Sequence, residues 1–172
     1  IQYADFAVWQ RQRLQGDTLA GQLAYWKRQL KGGAAALDLP TDHLHPPVHT
    51  YRGSMRPFAL SRRLTNAIKA LSRQEGVTLF VFLLAAFDTL LYRYTGQDDL
   101  LIGTSTAGRR HLEIQGLMGF FLNTLVLRTS LSGNPTFREL LVRVREVTNS
   151  AFAHEDMPCL LYTSPSPRDR QK

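Results

Sequence analysis

The segment from Leu79 to Thr95 constrains the fold of this chain more than any other, because it is apolar almost all round. Thr78 precedes it as a helix-capping residue. Its longest apolar run begins at Leu79 and continues past Phe87 to Asp88, which is much shorter than the roughly 20 apolar residues that a membrane-spanning helix needs. A helix without a polar face is stable only when other elements cover it. We therefore predict a core helix buried inside a folded domain, not a membrane span.

The rest of the sequence predicts further helices together with strands. Helices are indicated where apolar residues recur every three or four positions, and strands where short apolar runs lie between turn residues. The predicted helices cover residues 3–14, about 19–30, 62–76 and 79–95, and a last one begins at the capping box Thr136–Glu139. The predicted cap of the second helix is Asp17 or Thr18, and that of the third is Ser61. The predicted strands cover residues 51–60, 100–105 and 120–129. This order of elements predicts an α/β layered domain.

The composition excludes several classes of function. The net charge is +7, but the basic residues are scattered over the predicted helices and form no basic run interleaved with aromatic residues. We therefore predict no nucleic-acid partner. A single cysteine, Cys159, cannot form a disulfide within the chain, and the opening residues do not resemble a signal peptide, so we predict a cytoplasmic protein. The common nucleotide and metal motifs are absent from the sequence, and residue patterns alone indicate only an α/β domain.

Three segments resemble motifs of one enzyme family, in the family's order. Residues 3–9 are similar to Y-x-D-[FY]-A-x-W, residues 118–128 to [IVM]-G-x-F-[VL]-N-T-x-x-x-R, and residues 154–158 to the start of H-[QE]-D-x-P-F-E. The matching positions include Tyr3, Asp5, Trp9, Gly119, Phe121, His154, Asp156 and Pro158. Together these motifs identify a resemblance to the condensation domains of nonribosomal peptide synthetases, over residues 1–158.

The resemblance implies a fold and an activity. The fold has two chloramphenicol-acetyltransferase-like lobes, with helices layered on a mixed sheet. The activity is peptide bond formation between an acyl or peptidyl thioester on an upstream carrier protein and an aminoacyl thioester on a downstream one. Both substrates are attached to phosphopantetheine, no metal or directly bound cofactor takes part, and an adenylation domain is the expected neighbour.

The family's catalytic motif, H-H-x-x-x-D-G, does not occur in this sequence. The resemblance places it before the Tyr3 motif. We therefore predict that residues 1–158 are a partial condensation domain without the lobe that holds the catalytic histidine. This fragment is predicted to be inactive on its own, and to aggregate or remain molten when expressed, because its sheet edges and apolar faces would be uncovered.

The last fourteen residues, 159–172, differ in character from the rest of the chain. They lack the periodicity of the preceding segment and contain a Ser-Pro-Ser-Pro stretch. Back-translation of Cys159 to Asp169 resembles a transposon-type sequencing-library adapter. The alternative is a genuine Ser-Pro linker. We expect residues 159–172 to be derived from an adapter and to form no domain.

Four residues are candidates for roles in the substrate tunnel or in the fold around it. Asn123, with its neighbour Thr124, lies in a predicted strand where asparagine is disfavoured. Its amide is expected either to orient substrate amides or to make a structural hydrogen bond. Arg109, and less strongly Arg128, are candidates to pair with the aspartate of the absent catalytic motif; the alternative for either is a surface arginine.

Four basic residues are candidates for contacts with acidic carrier proteins: Arg62, Arg63, Arg109 and Arg110.

The histidines and serines offer no convincing catalytic group. His43, His45 and His49 are predicted to be exposed loop residues, because nothing beside them completes a metal site. His111 falls in a basic loop, and His154 is expected to hydrogen bond locally at a helix end. Ser105 lacks the G-x-S-x-G pattern of a hydrolase nucleophile.

Three other functions stay open at this point. An epimerization domain shares the fold, although the N-T-L-x-x-R pattern that starts at Asn123 favours condensation. A cyclization domain would differ mainly in the absent catalytic segment. A degenerate, non-catalytic domain that docks carrier proteins is the third alternative.

Overall fold

The computed structural model describes residues 1–32, 36–43, 48 and 53–158. The helices are α1 (Tyr3–Arg13), α2 (Gly16–Leu30), α3 (Arg62–Gln74), α4 (Leu79–Thr95), α5 (Leu112–Gln115) and α6 (Phe137–Ala153), and the strands are β1 (Asp99–Thr106) and β2 (Asn123–Ser130). In the described part of the chain, β1 and β2 form a two-stranded sheet. The helices and the small sheet confirm the α/β class.

Two of the predicted helix caps, Ser61 and Thr78, lie where the sequence places them. The Ser61 hydroxyl accepts a hydrogen bond from the Leu64 amide at 3.3 Å, and the Thr78 hydroxyl accepts one from the Val81 amide at 3.2 Å. Gly96 ends α4 with φ +71°, a conformation that glycine adopts without strain. These short side chains satisfy amide groups that the first turn of a helix leaves unpaired, which is why their positions can be predicted.

The capping box before α6 is also confirmed. The Glu139 carboxylate accepts hydrogen bonds from the Thr136 amide at 2.7 Å and from the Thr136 hydroxyl at 2.9 Å, and the Glu139 amide donates to the same hydroxyl. These bonds to Thr136 hold the pKa of Glu139 below its ordinary value. The carboxylate form is therefore the one that caps the helix.

Three predictions about elements were wrong. Residues 53–60, the described part of the predicted strand 51–60, form no strand, because an extended segment needs a neighbouring strand to form a ladder. Helix α2 begins at Gly16 behind Gln15, which makes no side-chain capping bond, so neither Asp17 nor Thr18 is the cap. The loop after β1 contains a short helix, α5, that residue periodicity did not reveal because it spans a single turn. Residues 51, 52, 45, 49 and 159–172 lie outside the described residues.

The chain divides into two compact units, and each has its own core. The first unit gathers the described residues of 1–34, 101–129 and 146–172, and the second those of 35–100 and 130–145. The core of the first unit contains Trp26, Leu125, Leu127, Ala151 and Met157, all almost fully buried. The core of the second unit contains the buried residues Val81, Ala85, Leu91, Leu100, Leu140, Leu141 and Val144.

Helix α4 is only half buried, so the prediction of a fully covered helix was wrong. One face, which includes Val81, Leu84 and Ala85, is buried. The other face carries a line of large apolar side chains, here called the α4 stripe, at alternating spacings of three and four residues. It consists of Phe80, Leu83, Phe87, Leu90 and Tyr94, which are between 42% and 65% exposed. No single helix in the described part of the chain is long and apolar enough to span a membrane.

Candidate functional site

Helix α1 packs its aromatic residues against the segment that leads into β2. The Tyr3 hydroxyl donates a hydrogen bond to the carbonyl oxygen of Phe120 at 3.0 Å, across 117 positions of sequence. The Phe121 ring lies edge-on to Tyr3, with 5.2 Å between ring centroids, and 4.8 Å from Phe6. Such aromatic pairs stabilise a contact beyond the area they bury. The first family-like motif therefore contacts the second one directly.

Gly119 is required by this contact. A Cβ atom at position 119 would lie 2.7 Å from Cγ of Tyr3, and closer still to Cδ2. Gly108 has a similar restriction: it has φ +63°, and a Cβ there would meet the carbonyl group of Phe121. Both glycines allow close approach to the aromatic cluster that α1 forms with Phe121.

The side chain of Asn123 joins the second motif to the third. Its Nδ2 donates hydrogen bonds to the carbonyl oxygens of Glu155 and Met157, both at 2.7 Å. Its Oδ1 accepts from the Thr124 amide at 2.9 Å. This geometry confirms that the amide finds partners within the fold, and it supports the structural alternative for Asn123. Asn123 and Thr124 also line the cleft described below, so a contact with substrate stays a prediction.

His154 is held at the end of α6 in a defined orientation. Its Nδ1 lies 2.8 Å from the Ser150 carbonyl oxygen, which can only accept, so Nδ1 carries a proton. The ring stacks on Tyr25 at 3.8 Å, and the His154 carbonyl accepts a hydrogen bond from Nε1 of the fully buried Trp26 at 3.0 Å. The predicted local hydrogen bond at a helix end is confirmed.

Tyr25, which stacks on His154, has a raised pKa. Burial raises the pKa of its hydroxyl group, and the positive charge of Arg28 lowers it by a smaller amount.

Glu155 is a buried carboxylate within the third motif. Its Oε2 accepts a hydrogen bond from the Thr106 hydroxyl at 2.5 Å, and its Oε1 forms an ion pair with Nε of Arg110. Arg110 also donates through Nη2 to the carbonyl oxygen of Phe152. The end of β1 and the loop behind it are thus tied to the segment that follows α6.

A cleft of about 610 Å³ opens where these segments meet. Aromatic side chains form much of its wall, and Arg13, Arg110, His111, Glu155 and Asp156 bring charge or a titratable ring to it. Arg13 lies over the Trp9 ring at 5.2 Å and pairs with Asp156 at 3.7 Å. The predicted motif residues that line the cleft are Tyr3, Trp9, Phe121, Asn123, Thr124, Asp156 and Pro158.

Asp5 and the two candidate arginines lie elsewhere in the first unit. Asp5 accepts a hydrogen bond from the Gln2 amide at 2.8 Å and caps α1. Arg109 donates through Nη1 to the carbonyl oxygens of Ile114 at 2.5 Å and Leu117 at 2.8 Å, and its guanidinium lies 4.1 Å from the Phe121 ring centroid.

Arg128 binds the end of α2, donating through Nη1 to the carbonyl oxygens of Gln29 at 3.0 Å and Lys31 at 2.8 Å. A cation at a helix C-terminus is favourable. For both arginines, pairing with the aspartate of the absent motif stays a prediction.

The remaining candidates are consistent with ordinary loop positions. His43 is exposed, as predicted, and His45 and His49 lie outside the described residues. His111 is exposed and lies edge-on to Trp9, with 5.1 Å between ring centroids. The described residues contain no group of three or more His, Cys, Asp and Glu side chains that could hold a metal ion.

Residue patterns did not indicate the contacts that Glu155, Arg110 and Trp26 make at the third motif: Trp26 bonds to its backbone, and Glu155 pairs with Arg110. Glu155 falls inside that motif, and its charge next to Asp156 was the available signal. Arg110 was proposed for a different role, at a carrier-protein surface. Trp26 lies in α2 and is fully buried. Its bond to a distant backbone carbonyl leaves no trace in residue spacing.

The arrangement of these motifs agrees with a comparison against protein families. The family model for the condensation domain matches residues 1–172. The chain belongs to the condensation-domain family. It is 57% identical over 158 residues to a component of the linear gramicidin synthase of Brevibacillus parabrevis, and 50% identical over 158 residues to chondramide synthase cmdD of Chondromyces crocatus.

These alignments cover 92% of this chain but only 3% and 4% of the relatives, so the condensation-domain chain spans a small part of their length. Among solved structures, the X-domain from teicoplanin biosynthesis is similar with a TM-score of 0.84 at 28% identity, over 94% of this chain and 37% of that one. The condensation domain of the Monacolin K polyketide synthase MokA has a TM-score of 0.74 at 28% identity, over 92% and 38%. The similarity confirms the condensation-domain fold.

Proposed function

We propose that this chain is part of a condensation domain that joins two carrier-bound substrates through an amide bond. The observation that supports this most is the meeting of three family motifs at one cleft. Tyr3 of the first motif hydrogen bonds to Phe120 of the second, and Asn123 of the second holds Glu155 and Met157 of the third. Motifs far apart in sequence thereby form one connected wall.

The proposed reaction is the attack of an amine on a thioester. The nitrogen lone pair forms the new C–N bond, the C–S bond breaks, the sulfur leaves as a thiolate, and the proton that the amine loses ends on that sulfur. Such a reaction needs a positioned amine, a group that takes up the proton, and donors for the oxyanion. The histidine motif that the family uses is absent from this sequence. The role that we assign to this chain is therefore to form part of the wall that positions substrates, and the chain alone is expected to be inactive.

The proposed partners follow from the same reaction. The substrates would arrive as thioesters on the phosphopantetheine arms of an upstream and a downstream carrier protein. An adenylation domain would load the downstream carrier, and the cytoplasm is the expected compartment. One similar solved structure is a four-domain nonribosomal peptide synthetase, with a TM-score of 0.81 at 25% identity. This similarity supports a place for the chain within such a synthetase.

A hybrid domain provides the test. Residues 1–158 would replace the matching segment in a condensation domain of the linear gramicidin synthase, which supplies the rest of the domain. We expect this hybrid domain to form a carrier-bound peptide from loaded carrier proteins, detected by mass spectrometry. The matched control is the unaltered domain of the linear gramicidin synthase, assayed with the same loaded carrier proteins. A well-folded hybrid domain that forms no peptide would contradict the proposal.

A non-catalytic docking platform is the second candidate. The observation that favours it is the similarity, with a TM-score of 0.85, to the X-domain that was solved in a complex with OxyB from teicoplanin biosynthesis. Under this alternative the folded hybrid domain binds the loaded carrier proteins but forms no peptide. Epimerization would instead give a stereoisomer of the donor without a new amide, and cyclization a product lighter by one water. The same mass and chiral measurements distinguish these outcomes.

We also propose that residues 1–158 are the condensation-domain part of the chain and that residues 159–172 do not belong to the natural protein. The alignments with the curated relatives extend over 158 residues, which supports this boundary, whereas the family model matches residues 1–172. Sequencing the source DNA beyond the codon for Pro158 tests the proposal. Phe-Glu codons after Pro158 would support it, and a genomic Cys-Leu-Leu would overturn it.

A further inference from the structure

The most unusual group at the cleft is the carboxylate of Glu155. Its side chain is only 5% exposed, yet it lies beside an arginine that is 52% exposed. A buried carboxylate is stable only when hydrogen bonds and a cation compensate for the water that it has lost. Thr106 supplies the hydrogen bond and Arg110 supplies the cation.

Arg110 is held at two points. Its Nε pairs with Glu155, and its Nη2 donates to the carbonyl oxygen of Phe152. A guanidinium is planar and carries five N–H donors in a rigid fork, so two contacts fix the orientation of the whole group. Arg110 also lines the cleft. The ion pair with Glu155 therefore determines the position and orientation of the Arg110 guanidinium in the cleft wall.

The backbone around Glu155 is fixed independently of its side chain. Asn123 holds the carbonyl oxygens of Glu155 and Met157, and Trp26 holds that of His154. Loss of the Glu155 charge would leave these bonds in place. The backbone of the segment is therefore held without the carboxylate, whose own contacts are with Thr106 and Arg110.

We propose that Glu155 is a positioning residue that fixes the Arg110 guanidinium as a hydrogen-bond donor for the carbonyl groups of a pantetheine-linked substrate in the cleft. This inference rests on the proposed function for the class of substrate. The aromatic wall of the cleft suits the apolar part of such a thioester, and a fixed guanidinium suits its amide and thioester oxygens. Glutamine at position 155 could still accept the Thr106 bond but would not pair with Arg110 as an ion.

The test measures binding without catalysis, in the hybrid domain. The probe is an aminoacyl-pantetheine thioester, titrated by calorimetry, and the variants are Glu155→Gln, Arg110→Gln and the double variant. Each single variant is expected to weaken binding about tenfold or more, as for the loss of a charge-assisted hydrogen bond. The double variant is expected to bind no more weakly than Arg110→Gln, because Glu155 acts through Arg110.

A matched control separates this role from a general effect on stability. Glu75 and Arg138 form an ion pair of 2.9 Å in the second unit, whereas residues of the first unit line the cleft. Glu75→Gln removes the same kind of charge and is expected to leave the Kd of the probe unchanged. The melting temperature of every variant would be recorded, and a fall in affinity without a matching loss of folded protein is the expected result for a positioning role.

The possible outcomes separate the two proposals. If the hybrid domain forms peptide but Glu155→Gln leaves the Kd unchanged, the positioning role is overturned and the proposed function stands. The hybrid domain could instead form no peptide, while each single variant weakens probe binding and the double variant weakens it no further than Arg110→Gln. In that case the positioning role stands and the proposed function fails. The positioning role would be overturned if the fold-changes in Kd of the two single variants multiplied in the double variant. It would also be overturned if the probe did not bind at all.

Discussion

The hydrogen bonds of Asn123 allow the sharpest prediction about stability. Asn123→Ala removes two N–H donors that lie 2.7 Å from the carbonyl oxygens of Glu155 and Met157, residues that are both buried. Each bond contributes about 1 kcal/mol, and a buried carbonyl without a partner adds a further penalty. We expect the hybrid domain to lose about 2 to 4 kcal/mol in free energy of unfolding.

Asn123→Asp tests the same geometry with almost the same shape. The introduced carboxylate would face two carbonyl oxygens and, when ionised, has no proton to donate to them. Its pKa in the folded state would be raised, because the neighbouring oxygens favour the protonated form. Relative to the wild type, the loss in free energy of unfolding is therefore expected to be largest above the folded-state pKa. This loss should decrease as the pH falls toward the ordinary aspartate pKa of about 4.

The assay is urea unfolding of the hybrid domain, followed by tryptophan fluorescence and circular dichroism. The control is Asn149→Ala, because Asn149 is an exposed residue of α6 and its loss should change stability by no more than about 0.5 kcal/mol. A loss of under about 0.5 kcal/mol for Asn123→Ala, together with a large loss of peptide formation, would refute the structural interpretation. Asn123 would then act mainly on substrate.

Three further predictions concern other contacts. Gly119→Ala forces a Cβ into the Tyr3 ring, and we expect a loss of about 1 to 3 kcal/mol in urea unfolding of the hybrid domain, which Gly119→Ala combined with Tyr3→Ala should partly recover. Trp26→Phe removes the hydrogen bond to the His154 carbonyl and some packing volume, so about 1 to 3 kcal/mol should be lost; an unchanged melting curve would contradict this. Phe87→Glu breaks the α4 stripe, and we expect it to raise the soluble fraction of the 172-residue chain in light scattering but to lower the melting temperature of the hybrid domain, where other parts of the domain would cover the stripe. Equal effects on both proteins would contradict that explanation.

The α4 stripe shows where prediction from local pattern fails. The sequence of α4 is apolar on two faces, and this pattern correctly predicts a helix but wrongly predicts that both faces are buried. The structure covers the face with Val81 and Ala85 and exposes the face with Phe87 and Leu90. Residue periodicity indicates that a helix face is apolar. The element that covers this face is determined by distant parts of the chain, which periodicity does not identify.

The sequence by itself determined several helix starts and the family motifs. Ser61, Thr78 and the Thr136–Glu139 box predicted the helix starts, because a cap bonds to an amide only two or three residues away. The order and content of the three motifs indicate the condensation-domain family from the sequence alone.

Only the tertiary structure decided how those motifs work together. The partners of Asn123 and Trp26 are backbone carbonyl groups, which every residue carries, so no side-chain pattern can indicate which of them will be bound. The same holds for the pairing of Glu155 with Arg110, since several acidic and basic residues of this chain satisfy the rule of opposite charge. Packing buries the carboxylate of this pair, whereas the carboxylates of the Arg13–Asp156 and Arg138–Glu75 pairs are more exposed.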